Sequence, residues 1–123
     1  MGKVNLAQKL SLFSEYYSPK IAGEINDSHV KLVKLKGEFV WRHHDVEDEL
    51  FLVLKGTLRM LFREDGVERE SQIQEGEFII VPHGVEHKPV ADDEVHIMLL
   101  EPKTTLNTGN VTNERTVAEL RRI

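Results

Sequence analysis

Of the six histidines in the chain, four stand in two short windows: His43 and His44 in WRHHDVEDE, and His83 and His87 in VPHGVEHKP. Imidazoles gathered beside carboxylates are the means by which a chain without thiolates holds a Zn, Mn, Fe or Ni ion. Two His with one carboxylate leave coordination positions open for a second molecule. In an extended segment residues i and i+2 share a face, and a hairpin returns the next strand opposite. Arg42 and His44 therefore converge with Glu49 across a turn at 45–48. A second frame, through His43, Asp45 and Glu49, is also open, because Phe39 and Trp41 make its opposite face at least as apolar as Val40 makes the other.

The remaining polar candidates carry less. His96 shares a strand face with Glu94 and Met98, and is expected either to contact a substrate inside the fold or to sit hydrogen-bonded in the core. His83 and Glu86 flank the Pro82-His83-Gly84 corner and read as rim residues, while His29 has no partner in sequence. The acidic run Asp45, Glu47 and Asp48 lacks the glycine and ligand spacing of a calcium loop. With no cysteine, disulfides, thiolate metal sites and a cysteine nucleophile are excluded. No GxSxG elbow, phosphate-binding loop or GxGxxG occurs either.

The elements that must position these groups are short and extended. Leu6, Leu10 and Phe13 follow Asn5 at helical spacing with Gln8 in the capping position, which predicts a brief amphipathic helix. After Pro19, apolar segments separated by Gly, Pro and Asp predict strands at 30–35, 38–44, 49–54, 57–63, 67–73, 78–81, 86–90 and 95–100. Asp65-Gly66 reads as a type I′ hairpin turn, and Asp92-Asp93 as a further turn. A last helical turn or two is expected within 114–122, with Val117 and Leu120 facing inward. The fold class is all-β, a barrel or sandwich with short terminal helical segments.

The 123 residues suffice for one core. A formal charge of −5 and a pI near 5.7 leave no basic footprint, so neither nucleic acid nor membrane is expected as a partner. The longest apolar runs fall far short of a bilayer span, and the N-terminus lacks a secretory pattern, so a cytoplasmic location is expected. Strands such as Leu50 to Leu54 and Ile97 to Leu100 are apolar on both faces, and with so short a chain this predicts a homodimer.

Two motifs carry a family resemblance. GEFVWRHHDVEDELFLVLKG, with His44, Glu49 and Gly56, and GEFIIVPHGVEHKPV, with Gly76, Pro82, Gly84 and His87, resemble the two motifs of a small single-domain cupin. The resemblance implies a cupin β-barrel, or double-stranded jelly roll. It spans about 30–102 of a single domain at 1–123, with an arm at 1–29 and a tail at 103–123. It also implies a divalent ion, Fe, Mn, Zn or Ni, held by His44, Glu49 and His87, with His43 the alternative ligand. His44 is favoured because Trp commonly precedes the first ligand position in that family. Metal-binding cupins usually carry His where this chain has Arg42, so Arg42 and His96 are expected to contact a small polar or anionic substrate. Dioxygenase, isomerase and lyase chemistry remain open, and so does a metal-free barrel in which Arg42 replaces the ion and binds a small anion or sugar.

Overall fold

The computed structural model describes residues 1–114, 116–117 and 119–123. It comprises α1 (Leu6–Leu10), β1 (Lys20–Ile25), β2 (Ser28–Glu38), β3 (Glu49–Lys55), β4 (Leu58–Glu64), β5 (Val67–Ile73), β6 (Phe78–Val81) and β7 (Glu86–Pro102). Every strand pairing is antiparallel.

The long strand β7 organises the molecule. Its second half pairs with β2 on one side and β3 on the other, in the order β1-β2-β7-β3-β6. Its first half keeps β2 on one side, Gly37 opposite Ala91 and Glu38 opposite Val90, and on the other pairs with β4, which carries β5, through Arg59 opposite Val90 and Phe62 opposite His87. One strand thus belongs to two sheets, which is how a jelly roll closes over its interior. On β7 the residues Val95, Ile97, Leu99 and Glu101 are buried and alternate with half-buried neighbours. The inward rows of β2 and β3 supply Lys31, Val33, Leu35, Glu49, Phe51 and Val53. The inner face is therefore apolar except at one end, where charged residues gather.

Three expected elements differ. The segment expected as a strand at 38–44 is mostly irregular: β2 ends at Glu38 after a bulge between Leu35 and Gly37, and only Arg42 makes a bridge, to His87. Gly37 sits at φ +83°, a left-handed conformation that bends the chain away from its ladder. The strands expected at 86–90 and 95–100 are one, because β2 pairs with β7 on both sides of its bulge and Asp92 is held by Arg59 Nη1 at 3.1 Å rather than forming a turn. β1, in the expected arm, pairs with β2 through a turn at Asn26, itself at φ +51°.

The termini close the barrel. In α1 the Asn5 side chain accepts from Gln8 N at 3.0 Å, as its spacing predicts. The helix itself buries no residue, and Phe13 beyond it is the anchor, its carbonyl receiving Lys34 Nζ at 2.6 Å. Among the described residues of 114–122 none is helical; Arg122 forms a bridge with Ile21 instead, and Arg115 and Ala118 lie outside the described residues. The hairpin turn at Asp65 and Gly66 has both residues at positive φ, as a type I′ turn requires. No helix is long and apolar enough to cross a membrane among the described residues.

Candidate metal centre

The irregular segment after β2, the first residue of β3 and the second residue of β7 meet at one end of the barrel. The Arg42–His87 bridge, with Arg42 N to His87 O at 2.9 Å and His87 N to Arg42 O at 2.8 Å, fixes the segment against β7. Gly84 N donates to His44 O at 2.7 Å and ties the Pro82-Gly84 corner to the same place. From these anchors His44, Glu49 and His87 all turn inward, with exposures of 5%, 3% and 1%.

Their donor atoms lie within 4.8 Å of one another. His44 Nε2 is 2.8 Å and His87 Nε2 3.1 Å from the same oxygen, Glu49 Oε1. Donors that share one ion at about 2.0–2.2 Å stand roughly 3 Å apart, so both edges have the length a shared cation requires. His87 Nδ1 lies 2.9 Å from the carbonyl of Val85, an acceptor for an Nδ1 proton when Nε2 ligates an ion. This is the backbone support usual for a ligating imidazole.

The charges agree with that arrangement. Burial depresses the His87 pKa below its ordinary value, outweighing the hydrogen bond to Glu49, and the nearby Arg42 cation adds to the fall. Burial alone would raise the Glu49 pKa, but hydrogen bonding from Glu101 and His87, the close approach of His44 and the Arg42 charge hold it well below the carboxylate range. Neutral imidazole and ionised carboxylate are the forms that ligate. His44 Nε2, 2.8 Å from Glu49 Oε1, has no hydrogen-bond partner of good geometry, so an ion placed between the two would displace no hydrogen bond there.

Arg42 is 4% exposed, and its Nε and Nη1 are buried without a hydrogen-bond partner. Its guanidinium lies 5.0 Å from the centre of the Phe39 ring, which in turn stacks on Tyr17 at 4.5 Å. These side chains face a cavity of about 30 Å³ bounded also by Glu49, Phe51, Glu101 and Asn107.

The other histidines stand apart. His43 Nε2 pairs with Asp45 at 3.0 Å, and its side chain, about a third exposed, is not among the clustered donors. His96 lies on the face of β7 opposite Ile97 and Leu99, with Nε2 2.6 Å from Glu94 Oε2. His83 Nδ1 is 2.9 Å from Asp48 at the surface, and His29 is buried on β2. The structure thus brings Arg42, His44, Glu49 and His87 to one end of the barrel, and does not bring His43 or His96 there.

The family profile described as Cupin domain matches residues 30–102, more than half of the chain. The chain belongs to the cupin family. This cupin is 45% identical to a cupin-2 domain containing protein from Shewanella frigidimarina, with 81% of this chain and 94% of that one covered and a TM-score of 0.77. Protein NMB1881 from Neisseria meningitidis is 30% identical, with 83% of this chain and 100% of that one covered and a TM-score of 0.73. The uncharacterized protein YdbB of Bacillus subtilis is 34% identical over 65 residues, 53% of this chain, and the match spans about half of that protein, 55% of its length.

Two residues of the cluster escape sequence reasoning. Glu101 and Lys31 are both buried, with Lys31 Nζ 2.7 Å from Glu101 Oε1. Burial, and then the charge of Glu49, push the Glu101 pKa well above its ordinary value. The signal is strand parity: Glu101 continues the inward row Val95, Ile97, Leu99, and a strand ended at Leu100 omits it.

Proposed function

We propose that this cupin is a small-molecule protein whose barrel holds a divalent ion through His44, Glu49 and His87 and takes a small polar or anionic substrate beside it. The observation that carries the reading is the pair of imidazole Nε2 atoms facing one buried carboxylate oxygen at 2.8 and 3.1 Å. Two imidazole nitrogens and a carboxylate oxygen at these distances form a donor set that one divalent ion can share. When bound, such an ion supplies Lewis acidity and, if it is Fe(II), a centre for dioxygen chemistry. The protein's own part is defined by its residues. Glu49 provides the negative charge, Val85 O is the acceptor for an Nδ1 proton of His87, and Phe51 with the apolar inner row keeps water from the donors. Arg42 is the substrate-facing cation in this reading, and the whole acts as a cytoplasmic homodimer.

A metal-free barrel is the second reading, favoured by the Arg42 charge beside Glu49. Against it, Arg42 makes no ion pair within hydrogen-bonding reach of Glu49 among the described residues, and two of its nitrogens stay unpaired. Melting curves of the chelator-stripped chain with added Mn(II), Zn(II), Ni(II) or anaerobic Fe(II) separate the two. Binding to the native state alone raises the melting temperature. A saturable rise with at least one ion, absent in Glu49→Gln, is expected; no rise with any of them leaves the metal-free barrel.

A further inference from the structure

β6 is the last strand of the sheet β1-β2-β7-β3-β6, and among the described residues it pairs on one side alone. Val53 N donates to Glu77 O at 3.0 Å, while Phe51 lies opposite Ile79 and Glu49 opposite Val81. Residues that bond a given neighbour alternate along an antiparallel strand. The backbone groups of Ile79 and Val81 therefore point to β3, and those of Phe78 and Ile80 point along the free edge. Such an edge is a template for another strand unless charge, proline, a bulge or a cover blunts it. The residues Phe78–Val81 carry no charge and no proline, and their register with β3 is unbroken.

The side chains are equally open. Phe78 and Ile80 are exposed on the outer face. Ile79, on the inner face, borders an apolar cavity of about 130 Å³ between β4 and β6, lined also by Met60, Phe62 and Val85.

The edge is complementary to itself. An antiparallel copy of β6 about a two-fold axis at Ile79 sets Phe78 opposite the second copy's Ile80, and Ile80 opposite its Phe78. An aromatic against a β-branched side chain is a favourable cross-strand pair. The same register exchanges the free N–H and C=O groups of Phe78 and Ile80 in both directions. It sets Glu77 against the second copy's Val81, so no like charges stand opposite. The two Ile79 side chains meet on the axis and close the cavity beside it. Neighbouring registers fail. Centred on Phe78, the pairing sets Ile80 against Gly76, which has left the strand at φ +81°; centred on Ile80, it sets Phe78 against Pro82, which has no N–H to give. Two copies with a formal charge of −5 repel, and an uncharged edge is where they can meet.

We propose that β6 is the seam of the homodimer, two copies joined edge to edge and antiparallel with Ile79 on the axis. The inference rests on the reading of the chain as a homodimer and is independent of the ion.

The chain has no cysteine, so a single introduced one reports its own neighbour. On the axis the pair is the non-hydrogen-bonded kind, with Cα atoms about 4.5 Å apart, within disulfide reach. Under mild oxidation Ile79→Cys is expected to form a covalent dimer at least tenfold faster than Phe78→Cys or Ile80→Cys, although positions 78 and 80 are the more exposed. Hydrogen exchange on the parent at low and high protein concentration, with the mass followed by sedimentation, needs no variant. The Phe78 and Ile80 amides should exchange at least tenfold more slowly in the dimer. A dimeric mass with those amides unprotected, or crosslinking as fast at 78 or 80 as at 79, overturns the seam and keeps the homodimer. A monomer at every concentration removes both. Amides protected in a monomer place a segment of the chain itself on the edge and overturn the seam as well.

Discussion

Arg42 and His87 are the residues at which the account is most exposed. In the family pattern His stands where this chain has Arg42, and the backbone bridge to His87 holds that position beside the cluster. Arg42→His removes a buried cation and offers a third imidazole as a fourth ligand, so divalent-ion affinity should rise by at least tenfold in a competition titration. Unchanged affinity would mean that position 42 does not face the donors. His87 gives the pH dependence. In the unfolded chain its pKa is about 6.5, whereas burial lowers it in the fold. As pH falls below about 6.5 the unfolded chain binds the proton first, so the stability that rests on a neutral His87 is present above that value. It is lost as pH falls through the lowered one. The metal-free chain should therefore lose more melting temperature between pH 7 and 5 than His87→Gln, and equal losses would contradict the assignment. His44, Glu49 and His87 were legible in sequence because motif spacing marks them. Lys31 and Glu101 were not, since a single Lys or Glu in an apolar strand has no local feature to say that a partner waits across the sheet.

At the scale of elements, the site depends on a strap more than on a strand. Residues 104–111 lie against the irregular segment: His43 N donates to Asn110 Oδ1 at 2.9 Å and Asn110 N to His43 O at 3.1 Å. Gly109 allows this approach. It sits at φ +63°, and a Cβ there would stand 2.5 Å from His43 O and 3.1 Å from Arg42 Cβ. Gly109→Ala should cost about 1–3 kcal/mol in denaturant unfolding and weaken ion binding along with it, because His44 is displaced with its neighbour. A variant as stable as the parent would show that the strap is not packed on the site. The hairpins were readable from turn chemistry, as Asp65-Gly66 shows. The segment at 38–44 was misread as a strand because its apolar residues, Phe39, Val40 and Trp41, have strand propensity. The Gly37 bulge had already taken the backbone out of register. β1 was missed because its turn, Asn26-Asp27, lacks a glycine although Asn tolerates the left-handed conformation it adopts.

For the molecule as a whole, the strands that are apolar on both faces find different cover on each. Inward rows fill the barrel, while on β6 at the edge of the sheet Phe78 and Ile80 remain 61% and 53% exposed. A second copy pairing on that edge would cover them and remove an open strand edge. Light scattering should therefore give a mass near twice 14.1 kDa for the parent, falling to the single-chain mass for Phe78→Asp with Ile80→Asp; a monomeric parent would contradict the dimer. The architecture itself was legible from punctuation and paired motifs. That β7 serves two sheets was not, because joining two strands depends on β2 running alongside both halves, a long-range contact. The central claim is an ion among His44, Glu49 and His87, and elemental analysis per chain tests it most directly, on the protein as purified and after loading with Fe(II), Mn(II), Zn(II) or Ni(II). Near one ion per chain, lost in a folded His87→Ala variant, is the predicted result; no ion under any of these conditions, or an ion retained in full by the variant, would contradict it.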